Sequence, residues 1–77
     1  MEIKILGTGC PKCNSLEKIT RKALDKAGIE ATIEKVEDIM EIMEYGIMRT
    51  PGLVINGEVK IAGHLPSEKE ITELLTQ

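Results

Sequence analysis

Aromatic side chains are almost missing from this sequence: its 77 residues include one tyrosine, no phenylalanine and no tryptophan. Surfaces that bind single-stranded nucleic acid rely on aromatic rings for base stacking, and a formal charge of −3 offers phosphate little attraction. Nucleic acid is therefore not an expected partner. The core must be built from Ile, Leu, Val and Met, packed closely within one small domain spanning residues 1–77.

Long apolar runs are also missing. No stretch approaches the roughly 20 apolar residues that a membrane-spanning helix needs, and no charged segment followed by an apolar one opens the sequence, as in a secretion signal. We therefore expect a monomeric protein of the cytoplasm with no membrane partner.

Cysteine is scarce, and the two cysteines lie close together at Cys10 and Cys13. A bridge between them would close too small a loop to constrain the unfolded chain much, so a structural role is not favoured. In a reducing compartment such a pair is more typical of redox chemistry or metal binding. Structural zinc sites normally use four Cys or His ligands, and His64 is the only further candidate. No structural metal site is therefore expected.

The first half of the chain predicts a strand, a helix and a second strand. Residues 2–6 alternate between polar and apolar side chains, as a half-buried strand does. Apolar residues then recur every three or four positions from Cys13 until Gly28, which is typical of a helix that ends at a glycine. Alternation returns over residues 29–36 and predicts the second strand, parallel to the first.

The second half predicts a helix, a hairpin and a last helix. Asp38 can cap the first of these helices. Asn56-Gly57 favours the tight turn that joins antiparallel strands, and Ser67 with Glu70 forms a capping box ahead of the final helix. The expected fold is a small α/β protein of order β-α-β-α-β-β-α, with a four-stranded mixed sheet covered by helices on both faces.

The predicted second helix carries an apolar stripe and several methionines. The stripe consists of Ile39, Met40, Met43 and Ile47. Copper binding or an adaptable binding surface is one interpretation of Met40, Met43 and Met48, but their spacing and the lack of aromatics favour core filling. Glu41 and Glu44 share an outward face, which is either simply solvated or a docking surface for a basic partner.

The Cys10-Pro11-Lys12-Cys13 motif falls where a strand ends and a helix begins. Helix N-termini and Cys-x-x-Cys contexts lower the pKa of a thiol from about 8.5 into a range of roughly 3.5 to 7.5, and Lys12 adds a positive charge. Pro11 suits a first helical turn. Cys13 lies one turn further and should point inward. We expect an exposed Cys10, largely in its thiolate form, to attack a substrate disulfide and a shielded Cys13 to resolve the mixed disulfide.

The chain resembles the thioredoxin superfamily along nearly its whole length. The features that carry the resemblance are this motif, the order of elements, and Thr50-Pro51 before the third strand. The sequence is most similar to the small glutaredoxin-like and thioredoxin-like proteins of archaea. The resemblance implies that Pro51 is cis and packs against a redox-active Cys10–Cys13 disulfide, with no other cofactor. It also implies that Thr50 pairs with an extended substrate.

The same resemblance places the loop of Gly63 and His64 beside Pro51, within reach of the cysteines. Gly63, Pro11 and Lys12 are then substrate-binding candidates together with Thr50 and Pro51. His64 titrates near neutrality and could modulate the thiolate, although an ordinary exposed histidine is the simpler interpretation.

Two departures from the family pattern bear on the chemistry. Gly9 stands where thioredoxins have a tryptophan, and no buried aspartate is evident. The group that takes the proton from Cys13 is therefore unidentified. Lys4 in the first strand is a candidate neighbour of the motif, although a solvated lysine is the simpler interpretation. Lys12 replaces the aromatic residue of glutaredoxins, and no aspartate follows Gly63. Glutathione is therefore a doubtful substrate.

Two functions compete on these observations. The favoured one is a protein disulfide oxidoreductase that acts on protein substrates and is re-reduced by an unidentified upstream reductase. The alternative is a metallochaperone that carries Cu(I) or Zn(II) on the thiolates of Cys10 and Cys13. Heavy-metal-associated domains share the motif position, but they end in a strand and have a methionine where this chain has Thr8.

Overall fold

A computed structural model describes residues 1–9 and 11–76 of the chain, so Cys10 lies outside the described residues. The elements follow the predicted order: β1 Glu2–Leu6, α1 Pro11–Ala27, β2 Thr32–Val36, α2 Ile39–Glu44, β3 Gly52–Ile55, β4 Glu58–Ala62 and α3 Glu68–Leu75. No helix within the described residues is both long and apolar enough to cross a bilayer.

The strands form one four-stranded mixed sheet in the order β2-β1-β3-β4. β1 pairs parallel to β2, as predicted, and antiparallel to β3, while β3 and β4 form the predicted hairpin. Leu6 at the end of β1 lies opposite Gly52 at the start of β3. The segment that follows β1 and the segment that precedes β3 therefore meet at the same edge of the sheet.

Both faces of the sheet are covered, as predicted. One face packs against α1 and α3 and buries Ile3, Ile5, Leu16, Ala23, Leu24, Leu53, Ile55, Ile61, Ile71 and Leu75. The other packs against α2 and the chain that follows it, and buries Leu6, Val36, Ile42, Ile47 and Val54. Consecutive residues of β3 enter opposite clusters, because side chains along a strand point alternately to its two sides.

Local signals set the ends of several elements. Asn56 and Gly57 have φ angles of 49° and 84°, as the tight hairpin turn requires. The Ser67 hydroxyl accepts a hydrogen bond from the Glu70 N–H at 3.2 Å, and the Glu70 carboxylate accepts one from the Ser67 N–H at 3.4 Å. Asp38 accepts one from the Met40 N–H at 2.8 Å. The predicted turn, capping box and cap are all confirmed.

The second strand is shorter than predicted, because the end of α1 extends into it. Gly28 has a φ of 67° and donates its N–H to the carbonyl of Asp25, while Ile29 donates to the carbonyl of Leu24. These two hydrogen bonds close the helix in a Schellman motif. Ile29 therefore serves the helix end, and the strand begins at Thr32.

The predicted core role of the methionines is wrong. The side chains of Met40, Met43 and Met48 are 69%, 63% and 99% exposed, and Ile39 is also exposed. α2 has six residues, fewer than two turns, and buries only Ile42 against the sheet. Of the predicted stripe only Ile47 is buried, and it lies beyond the helix, after Gly46.

Candidate thiol site

Residues 11–13 of the cysteine motif form the start of α1, at the sheet edge where β1 ends and β3 begins. α1 begins at Pro11, as expected of a proline in a first helical turn. Cys13 is 4% exposed, so the prediction that it points inward is confirmed. Pro11 and Lys12 are exposed at the same helix terminus. The predicted exposure and thiolate character of Cys10 fall outside the described residues and stay predictions.

Gly7 holds the end of β1 directly against Cys13. A Cβ placed on Gly7 would overlap the Sγ of Cys13, and would lie 2.8 Å from the Cβ of Cys13 and 3.9 Å from the Cβ of Thr50. The Gly7 N–H donates to the carbonyl of Val36 at 3.0 Å. Glycine is needed here because no side chain fits. Sequence reasoning did not single out Gly7 as a contact of Cys13, although a glycine closing a strand signals a close approach.

The Thr50–Pro51 peptide bond is cis, as the resemblance implied. Pro51 is fully buried and Thr50 is half-buried. The carbonyl of Pro51 accepts a hydrogen bond of 2.9 Å from the N–H of Gly63, so the two segments lie side by side, as also implied. Through Gly7, Thr50 is a neighbour of Cys13. The start of α1, the approach to β3 and the loop after β4 therefore meet.

The loop after β4 contributes backbone rather than a reactive side chain. Gly63 has a φ of 85°, and a Cβ there would lie 3.2 Å from the Cβ of Arg49, so the loop packs tightly on Arg49. His64 is exposed, in agreement with the simpler interpretation of this residue. Arg49 was not singled out from the sequence, because only the folded loop brings it next to Gly63.

A cavity of about 10 Å³ adjoins Cys13, and it is lined by Ile5, Gly7, Gly9, Cys13, Asn14, Lys35 and Glu37. This volume is close to what one water molecule requires. Lys35 pairs with Glu17 at 3.0 Å, and Glu17 also pairs with Arg21. Hydrogen bonds from Lys35 and Arg21 hold the pKa of Glu17 below its usual value. Sequence reasoning missed Lys35 and Glu37, because the pairing of β2 with β1 brings them to the motif.

Lys4 lies away from Cys13, on the α2 face of the sheet. Its Nζ is 5.9 Å from the centroid of the Tyr45 ring and 3.9 Å from a carboxylate oxygen of Glu2. A hydrogen bond and charge interaction with Tyr45 raise the pKa of Lys4. Lys4 is therefore held by Tyr45 and does not line the cavity at Cys13.

An apolar groove continues from the thiol site across α2. It encloses about 440 Å³ and is lined by Thr8, Ile39, Ile42, Met43, Gly46, Ile47, Met48 and Thr50. We call it the methionine groove. Thr8 lies two positions before Cys10, and Thr50 precedes the cis proline. The groove therefore opens beside the residues that surround the motif.

Across residues 1–9 and 11–76, no group of three or more His, Cys, Asp or Glu side chains is arranged to hold a metal ion. A carrier site on two thiolates needs Cys10 and lies outside the described residues.

The sheet order, the buried Cys13 at the start of α1 and its approach to Gly7, which also neighbours Thr50, define a thioredoxin-like fold. A family model described as "Thioredoxin domain" matches residues 1–76, and the chain belongs to this family.

Its relatives include archaeal thioredoxins. A "Thioredoxin" of Methanothermobacter thermautotrophicus is 43% identical over 76 residues, covering 99% of both chains. A "Thioredoxin" of Methanocaldococcus jannaschii is 44% identical over 73 residues, covering 95% of this chain and 84% of the relative. A "Probable Thioredoxin" of Archaeoglobus fulgidus is 33% identical, covering 86% and 75%. The chain is a protein disulfide oxidoreductase.

Proposed function

We propose that the protein exchanges disulfides with protein substrates through Cys10, the nucleophile, and Cys13, the resolving thiol. The observation that carries this proposal is the position of Cys13: buried in the first turn of α1, against Gly7 and near Thr50. Once reduced, a cysteine at such a buried position reacts with a neighbour in the same motif more readily than with a large substrate, because access controls thiol–disulfide exchange.

The reaction has two balanced steps. The Cys10 thiolate attacks one sulfur of the substrate disulfide, a mixed disulfide forms, and the other substrate sulfur leaves as a thiolate. Cys13 then loses its proton and attacks the sulfur of Cys10, which releases the second substrate thiolate. The substrate gains two electrons, and its two thiolates take up the proton released by Cys13 and one proton from the solvent. The protein is left with a Cys10–Cys13 disulfide that serves as its only redox group.

We assign substrate contacts to Thr50, Pro51, Gly63, Pro11 and Lys12. The hydrogen bond from Gly63 to the Pro51 carbonyl fixes the segment before β3, so that the Thr50 backbone can pair with an extended substrate. Pro11 and Lys12 are exposed beside the motif and would meet the substrate from the helix side.

We also assign a route for the proton of Cys13. The cavity beside Cys13 has room for about one water molecule. Glu37 also lines this cavity, and we assign its carboxylate as the acidic group that accepts the proton through that water. Lys35 lines the cavity too, and its ammonium group pairs with the carboxylate of Glu17 at 3.0 Å.

The partners and the cellular compartment of the protein follow from the same chemistry. A disulfide left on the protein must be reduced again, so the partners are disulfide-containing proteins and an upstream dithiol reductase. Glutathione is a poor substrate on this proposal, because Lys12 and the Gly63–His64 loop depart from the glutaredoxin pattern. We place the protein in the cytoplasm, where a reducing poise keeps such a pair available.

The test is insulin-disulfide reduction with dithiothreitol, run beside a Cu(I) titration on the same preparations. Wild type is expected to accelerate the reduction, and Cys10→Ser to remove the acceleration completely. Wild type that gives no rate above background, while binding one Cu(I) tightly, would establish the metallochaperone alternative instead.

A further inference from the structure

We propose that the methionine groove binds an apolar segment of the substrate protein that is flanked by basic residues and lies beside the disulfide to be reduced. This inference rests on the proposed function and names the substrate class of that site.

The exposed apolar side chains are concentrated at the groove. Six large hydrophobic side chains of the described residues are exposed, and three of them, Ile39, Met43 and Met48, line the groove. A fourth, Met40, follows Ile39 in the same helix. Scattered apolar residues are ordinary on a surface, but a contiguous patch marks a binding site. The side of α2 that faces the sheet is already filled by Ile42, so the exposed residues serve no core.

The position of the groove ties it to disulfide exchange. Thr8 and Thr50 line it at one end, and Thr50 is also a neighbour of Gly7, which contacts Cys13. A substrate chain whose disulfide lies at the motif can therefore continue into the groove without leaving the surface. The volume of about 440 Å³ lies within the range of roughly 300–1,000 Å³ found for ligand pockets.

Charge indicates which apolar segments fit. Positions 37 to 48 contain four acidic residues and no basic one: Glu37, Asp38, Glu41 and Glu44. All four are exposed, and none joins the ion pairs found across the described residues. Like charges facing one another are costly at an interface, and opposite charges steer association. A partner with Lys or Arg beside its apolar segment is therefore favoured, and an anionic lipid surface is disfavoured.

Methionine suits a groove that must accept many substrates. Its unbranched, polarisable side chain adapts to differently shaped apolar partners. Arg49, the next basic residue along the chain, packs against Gly63, and Lys4 is held over the Tyr45 ring. The exposed acidic residues of α2 are therefore left to contact the flanking charges of the partner.

The experiment uses three disulfide-linked peptides that differ only beside the cysteine: apolar with Lys flanks, apolar with Glu flanks, and polar with Lys flanks. A small aromatic disulfide, too short to reach the groove, gives the reference rate of each protein variant. For wild type we expect kcat/KM on the apolar, Lys-flanked peptide to exceed that on the polar one by about tenfold, mainly through KM. We expect Glu flanks to cost about threefold, and salt to reduce that difference.

The variants probe the two recognition elements separately. Met43→Gln with Met48→Gln changes two residues that line the groove and should remove the preference for the apolar peptide, whereas Met43→Leu should keep it because the side chain stays apolar. Glu41→Lys should reverse the preference for Lys flanks. The matched control is Glu73→Lys, on the exposed surface of α3, which changes the net charge equally and should leave the flank preference as in wild type.

The outcomes separate this inference from the function on which it rests. Equal kcat/KM for all three peptides, with the small disulfide still reduced, would overturn the groove proposal and leave disulfide exchange standing. No reduction of any disulfide would overturn the proposed function itself. A wild-type dimer in sedimentation that Met43→Gln converts to a monomer would show that a second copy occupies the groove, which also overturns the proposal.

Discussion

Gly7→Ala is the substitution whose effect the structure defines most sharply. The added methyl would overlap the Sγ of Cys13 and lie 2.8 Å from its Cβ, closer than real Cβ contacts come. Both partners belong to packed backbone, the end of β1 and the first turn of α1, so neither can move without shifting its element. Forcing extra volume into such a site typically costs about 1–3 kcal/mol.

The magnitude converts directly into a melting temperature. For a domain of this size, 1 kcal/mol corresponds to roughly 4–8 °C, so a cost of about 2 kcal/mol predicts that the reduced protein melts roughly 8–16 °C lower. The substitution should also slow the resolving step, because the displaced Cys13 loses its alignment with the mixed disulfide. Circular dichroism melts under reducing conditions and insulin reduction measure the two effects.

A double-mutant cycle assigns the cost to this contact. In a Cys13→Ala background the sulfur is gone, so Gly7→Ala should cost clearly less than in wild type, with the remaining cost arising from the two Cβ atoms. Gly9→Ala is a comparison in which a Cβ meets nothing within 4 Å but φ is +82°, so backbone strain acts without a clash. If Gly7→Ala melts within about 2 °C of wild type, less than the overpacking cost allows, the close packing of Gly7 on Cys13 is refuted.

Three further predictions concern a helix cap, the loss of folding stability at acid pH and the route of the Cys13 proton. Ser67→Ala removes the capping box of α3 and should cost about 1 kcal/mol in urea unfolding; no change would mean that the cap contributes nothing. Lys35 and Arg21 lower the pKa of Glu17, so the folded protein holds that proton less tightly than the unfolded chain. The stabilisation is present above the ordinary pKa of about 4.3 and is lost as pH falls through the lowered value. Glu17→Gln should therefore narrow the stability difference between pH 7 and acid relative to wild type, and an unchanged difference would contradict the pairing. Glu37→Gln should slow release of substrate from the mixed disulfide and shift the pH dependence of this step, while alkylation of Cys10 by iodoacetamide keeps its wild-type rate; a wild-type release profile would remove Glu37 from the proton route.

Local sequence signals were sufficient to predict those parts of the structure that depend on residues close together in the chain. The Asn56-Gly57 turn, the Ser67 capping box and the Gly28 helix end all involve residues within five positions of one another, and each lies where it was predicted. The order of elements followed from these boundaries, and the family resemblance supplied the cis bond at Pro51.

The features that sequence reasoning missed depend on how separate elements pack against one another. Gly7 meets Cys13 only because α1 turns back on the end of β1, and Glu37 reaches the same cavity only through the register of β2 on β1. The methionines were misplaced for a different reason. Helical spacing identifies an apolar face but does not show how much of it is buried. α2 has fewer than two turns, and Ile42 is the only one of its residues that is buried against the sheet.

The central claim, that Cys10 attacks and Cys13 resolves, is tested most directly by intact-mass spectrometry of Cys13→Ser after incubation with a disulfide-linked peptide. The account predicts a stable adduct of one half-peptide on Cys10, located by proteolytic mapping, while wild type under the same conditions releases both halves and gains an internal disulfide. A Cys13→Ser protein that forms no adduct, paired with a Cys10→Ser protein that does, would contradict the assigned roles.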